Sequence, residues 1–118
     1  MIKADRIPVY LQHMLDAIER ALTYVGPFSS AAGFASNSQA LDAVVRNLEI
    51  LGEAANKINQ SDSGYFDAHP EVPWQLMRAM RNRMIHDYFS VDPVVVWQTV
   101  HDDLPRLREN IQSLLDRS

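Results

Sequence analysis

Apolar residues recur every three or four positions in four separate stretches of this chain, and no comparable run alternates apolar with polar. That spacing is the repeat of one helical face, and it commits the chain to helices rather than strands. The first stretch runs from about Asp5 to Val25, with Ile7, Leu11, Met14, Leu15, Ile18, Leu22 and Val25 on one side. Asp5 is the expected cap, Pro8 is tolerated in a first turn, and Gly26-Pro27 marks the stop. A second helix is predicted from about Ser38 to Asn59, with a stripe of Leu41, Val44, Val45, Leu48, Leu51, Ala55 and Ile58. Gly52 lies inside it at a cost of ~1 kcal/mol relative to alanine. Two readings of it stay open at this point: a gap that admits a neighbouring helix, or a glycine the helix merely tolerates.

Pro73 reads as the first residue of a third helix reaching about Asp87, with Trp74, Met77, Met80 and Met84 as its apolar face. The methionines read as packing for a core or a dimer. Asp92-Pro93 opens a fourth helix, striped by Trp97, Val100, Leu104, Leu107, Ile111 and Leu114. Pro105 removes a backbone donor and predicts a kink or split there. The segments Phe28 to Ser38 and Ser61 to Val72 read as loops, with Phe28 and Phe34 tucked onto the core. The expected architecture is all-α: one domain over residues 1–118, an up-and-down four-helix bundle.

The balance of 47% hydrophobic and 22% charged residues in 118 suits a single globular domain. The absence of cysteine excludes disulfides and thiol chemistry, and fits a reducing cytoplasm. Neither a leader peptide nor a membrane span is expected. A net charge of −4 argues against a general nucleic-acid coat, yet Arg78, Arg81 and Arg83 crowd into six residues. The charge is therefore uneven, and a local basic cleft remains open.

The third helix ends Arg81-Asn82-Arg83-Met84-Ile85-His86-Asp87-Tyr88, a concentration of polar chemistry beside a chain break at Phe89 to Pro93. Arg81 and Tyr88 are seven apart, about 700° of helix, so they nearly share a face. Asn82 and His86 stack at four apart. Arg81 and His86 diverge by about 140°. They meet only across a groove, through distortion at the helix end, or with a second subunit. These groups suit phosphodiester cleavage without a metal. His86 titrates near neutrality and serves as base or acid. The Arg81 fork matches phosphate oxygens, and Asn82 is placed to orient His86 or a ribose hydroxyl. RNA brings its own nucleophile, the 2′-hydroxyl. A plain structural role stays open too, because arginine and histidine at a helix end are commonly solvated or paired.

Arg81, four residues, His86, one residue, Tyr88 resembles the Arg-x4-His-x-Tyr motif of the HepT toxins, a branch of the HEPN ribonuclease superfamily. Arg46-Asn47-Leu48-Glu49-Ile50-Leu51-Gly52-Glu53-Ala54-Ala55 is similar to that family's second helix. Pro73-Trp74, Val96-Trp97 and Asp102-Asp103-Leu104-Pro105 follow its order. The resemblance implies a homodimer with two motifs in one cleft, acting as a metal-independent RNA-cleaving toxin without a cofactor. It implies a partner, a minimal nucleotidyltransferase antitoxin that transfers AMP to Tyr88. By position it makes Arg81 and His86 catalytic and Asn82 an active-site residue. Glu53 is a supporting candidate for orienting Arg81 or His86, with Arg78 and Arg83 beside it.

Other signals are weaker. His13, His69 and His101 have no ligand spacing, so no metal site is expected. Trp74 and Trp97 are placed to meet in the core or to stack RNA bases. A second functional reading is a non-catalytic partner of a nucleotidyltransferase, with a cleft for nucleotide or phosphate. A third is a purely structural helical oligomer.

Overall fold

Short polar side chains fix where the helices begin. Asn37 Oδ1 accepts the Ala40 N–H at 2.9 Å, and Asp92 Oδ1 accepts the Val94 N–H at 2.9 Å. Ser30 Oγ accepts the Gly33 N–H at 3.1 Å. Each satisfies a donor that the first helical turn leaves free. The computed structural model describes residues 6–86 and 91–118, with backbone alone for residues 80 and 83–86. The cap expected at Asp5 lies outside these residues.

The order is α1 (Ile7–Val25), α2 (Ala31–Ala35), α3 (Ser38–Ser61), α4 (Tyr65–Ala68), α5 (Trp74–His86), α6 (Pro93–Gln98), a π-helical segment (Thr99–Asp103) and α7 (Leu104–Asp116). Among the described residues there is no strand. No helix there is long and apolar enough to cross a membrane. Both expected loops contain a short helix, α2 and α4, too brief to show a period.

α3 packs against α1 and α5, and α1 also packs against α7. The core is the set of stripes read from the sequence: Leu11, Met14 and Ile18 from α1, Val44, Leu48, Leu51 and Ile58 from α3, and Leu104 and Ile111 from α7. Burying each large aliphatic side chain contributes about 1.5–3 kcal/mol. Phe34 of α2 is fully buried, with Phe28 at its edge and Trp97 beside it.

The π-helical segment has a local cause. The Leu104 N–H donates to the Thr99 carbonyl, five residues back instead of four. Pro105 follows, with no N–H and a ring that crowds the preceding turn. The wider turn admits it within the first turn of α7, where a proline costs little.

The loop after α4 is tied to α7. Asn110 Nδ2 donates to the Glu71 carbonyl at 3.3 Å, and Arg117 Nη2 reaches Glu71 Oε2 at 3.4 Å. Glu71's carboxyl is held below its ordinary range by its own backbone N–H first, with His69 and Arg117 adding to the effect. A depressed carboxyl stabilises the fold above its unfolded pKa and loses that contribution as pH falls through the folded one. Glu71→Gln is therefore expected to lower the melting temperature slightly at about pH 7, the gap closing as pH falls through the carboxyl's lowered titration range. Thermal melts of both proteins across that range check it. A gap that stays constant down to the acid end would assign the effect to packing instead.

Candidate active site

α3 and α5 run antiparallel, because Gly52 lies against Arg81 while Asn56 meets Arg78. Their approach is close. A methyl built on Gly52 would overlap Arg81 Cβ and stand 2.8 Å from Arg81 Cγ and 2.9 Å from the Met77 carbonyl oxygen. Of the two readings of Gly52, the gap is the right one. The missing side chain lets the base of Arg81 lie on the α3 backbone.

From that seat Arg81 reaches along α3 to Glu53. Its Nε–H and Nη2–H both donate to Glu53 Oε2, at 3.0 and 2.8 Å. Nη1–H donates to Asn82 Oδ1 at 3.1 Å. Three of the five guanidinium N–H donors are thus engaged, and two have no partner among the described residues. The Arg81 side chain is 26% exposed and that of Glu53 46%. A pair this open to water adds only about 0–1 kcal/mol to stability. Its consequence is positional: two bonds to one oxygen and a third to an amide fix the plane of the fork.

Arg78, one turn earlier, donates from Nε to Asn56 Oδ1 at 3.0 Å, with its guanidinium carbon 6.0 Å from the Phe66 ring centre. The structure therefore brings together Arg81, Asn82 and Glu53, with Arg78 alongside. The side chains of Arg83 and His86, and all of Tyr88, lie outside the described residues. The backbone of α5 is α-helical through His86. The divergence of about 140° between Arg81 and His86 therefore stands along the backbone, with no break in the helix between them.

The tryptophans do not meet. Trp74 is buried, stacked on Phe66 at 4.5 Å and 7°, with Tyr65 at its edge and its indole N–H on the His69 carbonyl at 2.9 Å. It has no open face for a base. Trp97 packs on Phe34 and stacks with His101 at 5.4 Å. The histidines are separately occupied: His13 lies beside Tyr10, His69 against Tyr65 and His101 against Trp97. Among the described residues, no three acidic or imidazole groups gather as a metal site. Sequence reasoning did not find Asn56, whose part in the site is to hold Arg78 from the neighbouring helix.

The described residues define a small all-helical domain whose candidate site is carried by two packed antiparallel helices. Residues 14–114 match the ribonuclease HepT-like family, and the chain belongs to that family. It is 36% identical over 105 residues to "Probable ribonuclease HepT" of Thermococcus cleftensis, covering 89% of this chain and 92% of that one. It is 31% identical over 108 residues to a "Putative RNase" of Caldanaerobacter subterraneus subsp. tengcongensis, covering 92% and 93%. No solved structure matches the chain.

Proposed function

We propose that this chain is a metal-independent endoribonuclease toxin of a type II toxin–antitoxin pair. In this reading it is a cytoplasmic homodimer of HEPN-type four-helix bundles, and AMP transfer to Tyr88 silences it. The observation that carries the reading is the held guanidinium. Arg81 is set by Glu53 and Asn82 and keeps two donors with no partner among the described residues, an arrangement suited to an anionic phosphate. Family membership and the ribonuclease names of the relatives support it.

The chemistry follows from the groups. His86 takes the proton of a ribose 2′-hydroxyl, whose oxygen attacks the adjacent phosphorus. The P–O5′ bond breaks, leaving a 2′,3′-cyclic phosphate, and the departing oxygen takes a proton to become a 5′-hydroxyl. Arg81 stabilises the charge that gathers on the phosphoryl oxygens. A second copy of the chain supplies the second imidazole that the phase of α5 withholds. In silencing, the Tyr88 phenol oxygen attacks the α-phosphorus of ATP on the antitoxin, and pyrophosphate leaves. The attached phosphate adds a negative charge near Arg81 and excludes RNA by occupancy and repulsion.

The purified chain is expected to cleave RNA in excess chelator. Co-expression with a minimal nucleotidyltransferase is expected to add AMP mass at Tyr88 and stop cleavage. Tyr88→Phe should retain cleavage and escape that restraint, scored by intact mass and RNA integrity. An RNase that dies in chelator, or an adduct on another tyrosine, overturns the corresponding half. The net charge of −4 favours the alternative, a non-catalytic nucleotidyltransferase partner, which predicts no cleavage by pure protein.

A further inference from the structure

The outward face of α3 carries a groove of about 330 Å³ that begins at the candidate site. Ile50 and Ala54 line it, with His13 of α1 on one side and Arg46, Glu53 and Lys57 along α3. Glu53 is shared: it lines the groove and holds Arg81. A strand whose scissile phosphate sits on Arg81 therefore meets this groove with its neighbouring nucleotides.

The charges fit such a strand. Arg46 and Lys57 are eleven residues apart, about 1100° of helix, so they project from nearly one line. Glu53 falls between them, about 10 Å from Arg46 and about 6 Å from Lys57 along the axis. The two acids of the groove are already engaged, Glu53 by Arg81 and Glu49 by Arg46 at 3.5 Å. The Arg46 side chain is nonetheless 70% exposed, and an open pair of this kind is weak enough to yield to a phosphate. Lys57 is exposed and has no carboxylate partner among the described residues. Arg78, just across on α5, is held by a neutral amide and has no carboxylate partner among the described residues. Among the described residues, Lys57 and Arg78 are thus cations without an acidic partner on the helix pair that carries Arg81, in a chain that is acidic overall.

From this we infer that the outward face of α3 is a track for single-stranded RNA, with Lys57 and Arg46 holding phosphates on either side of the one cleaved at Arg81. The apolar floor of Ile50 and Ala54 faces ribose and base. The inference rests on the nuclease reading above and extends it to the substrate's flanks.

The test uses the full chain and two probes. One is a 2′-O-methyl RNA oligonucleotide, which lacks the nucleophile and reports binding alone. The other is an RNA dinucleotide, which has a scissile phosphate and no flanking ones. Arg46→Gln/Lys57→Gln is compared with Arg106→Gln, an exposed cation on α7. The double variant is expected to bind the oligonucleotide about tenfold more weakly at about 0.1 M salt, and to flatten the log–log salt dependence by about 1.4, two contacts at about 0.7 each. Dinucleotide cleavage should match wild type, and Arg106→Gln should change neither. An unchanged salt slope, an equal loss in Arg106→Gln, or an equal loss on the dinucleotide overturns the track. So does a change of sedimentation coefficient in the double variant, which would make this face a subunit interface. If wild type binds with the expected slope and cleaves neither RNA nor dinucleotide, the track stands and the nuclease reading falls.

Discussion

Arg81→Ala and His86→Ala are each expected to lower RNA cleavage by at least about a hundredfold, the usual loss when a charge-stabilising donor or a general base is removed. The fold should survive the arginine change. Arg81 is partly exposed, and the ion pair it loses is worth about 0–1 kcal/mol. Glu53, released, is open enough to solvent to be hydrated. The two variants should differ in kind. Loss of His86 removes proton transfer and should flatten the rise of rate with pH near neutrality, whereas Arg81→Ala should keep that profile at a lower rate. Arg81→Lys should not restore activity, because a point charge does not reproduce a fork held by Glu53 and Asn82. Glu53→Gln should fall between these and wild type. Near-wild-type cleavage in either alanine variant would remove that residue from the chemistry. A melting temperature many degrees below wild type in Arg81→Ala would make it a structural residue.

Much of this arrangement was legible before any coordinates. The stripes of α1, α3 and α7 needed only the helical period, since each side chain's burial follows from its place in that period. What escaped the sequence is of two physical kinds. Segments of four or five residues, α2 and α4, are shorter than the period that would reveal them. Ser30 before Ala31-Ala32 is a cap signal, visible only once a helix is suspected. The other kind is tertiary. Asn56 meets Arg78 across two helices, and no local pattern encodes that pairing; Glu53, the acid expected to orient Arg81 or His86, bonds Arg81. Asn47, an amide in an otherwise apolar stripe, is buried, with its Nδ2 donating to the Ala43 carbonyl. In α6 the buried residue is Val96, with Trp97 only partly covered. Val96, Val100 and Leu104 follow at intervals of four, through the π-helical segment that an α-helical period does not anticipate.

Gly52→Ala is expected to damage both stability and cleavage, from a single methyl on a helix where alanine is intrinsically better. Propensity alone predicts a gain of about 1 kcal/mol for the exchange. Space predicts the opposite. The new Cβ would overlap Arg81 Cβ and crowd the Met77 carbonyl at 2.9 Å, and the latter is backbone that cannot rotate away. α5 must therefore shift off α3, at a cost typical of overpacking, about 1–3 kcal/mol. The shift moves the base of Arg81 relative to Glu53, whose bonds to it at 2.8 and 3.0 Å tolerate little displacement. Cleavage should fall by about tenfold or more even at temperatures where the variant is fully folded. Gly52→Ala/Arg81→Ala separates the two effects. The overlap at Arg81 Cβ persists in the double variant, so stability should recover little if backbone crowding dominates, and cleavage should fall no further than in Arg81→Ala alone. Equilibrium unfolding and cleavage rates on the three proteins measure this coupling directly. A Gly52→Ala protein that is more stable than wild type and cleaves as fast would mean that α3 and α5 have room between them, and that Arg81 is not seated on Gly52.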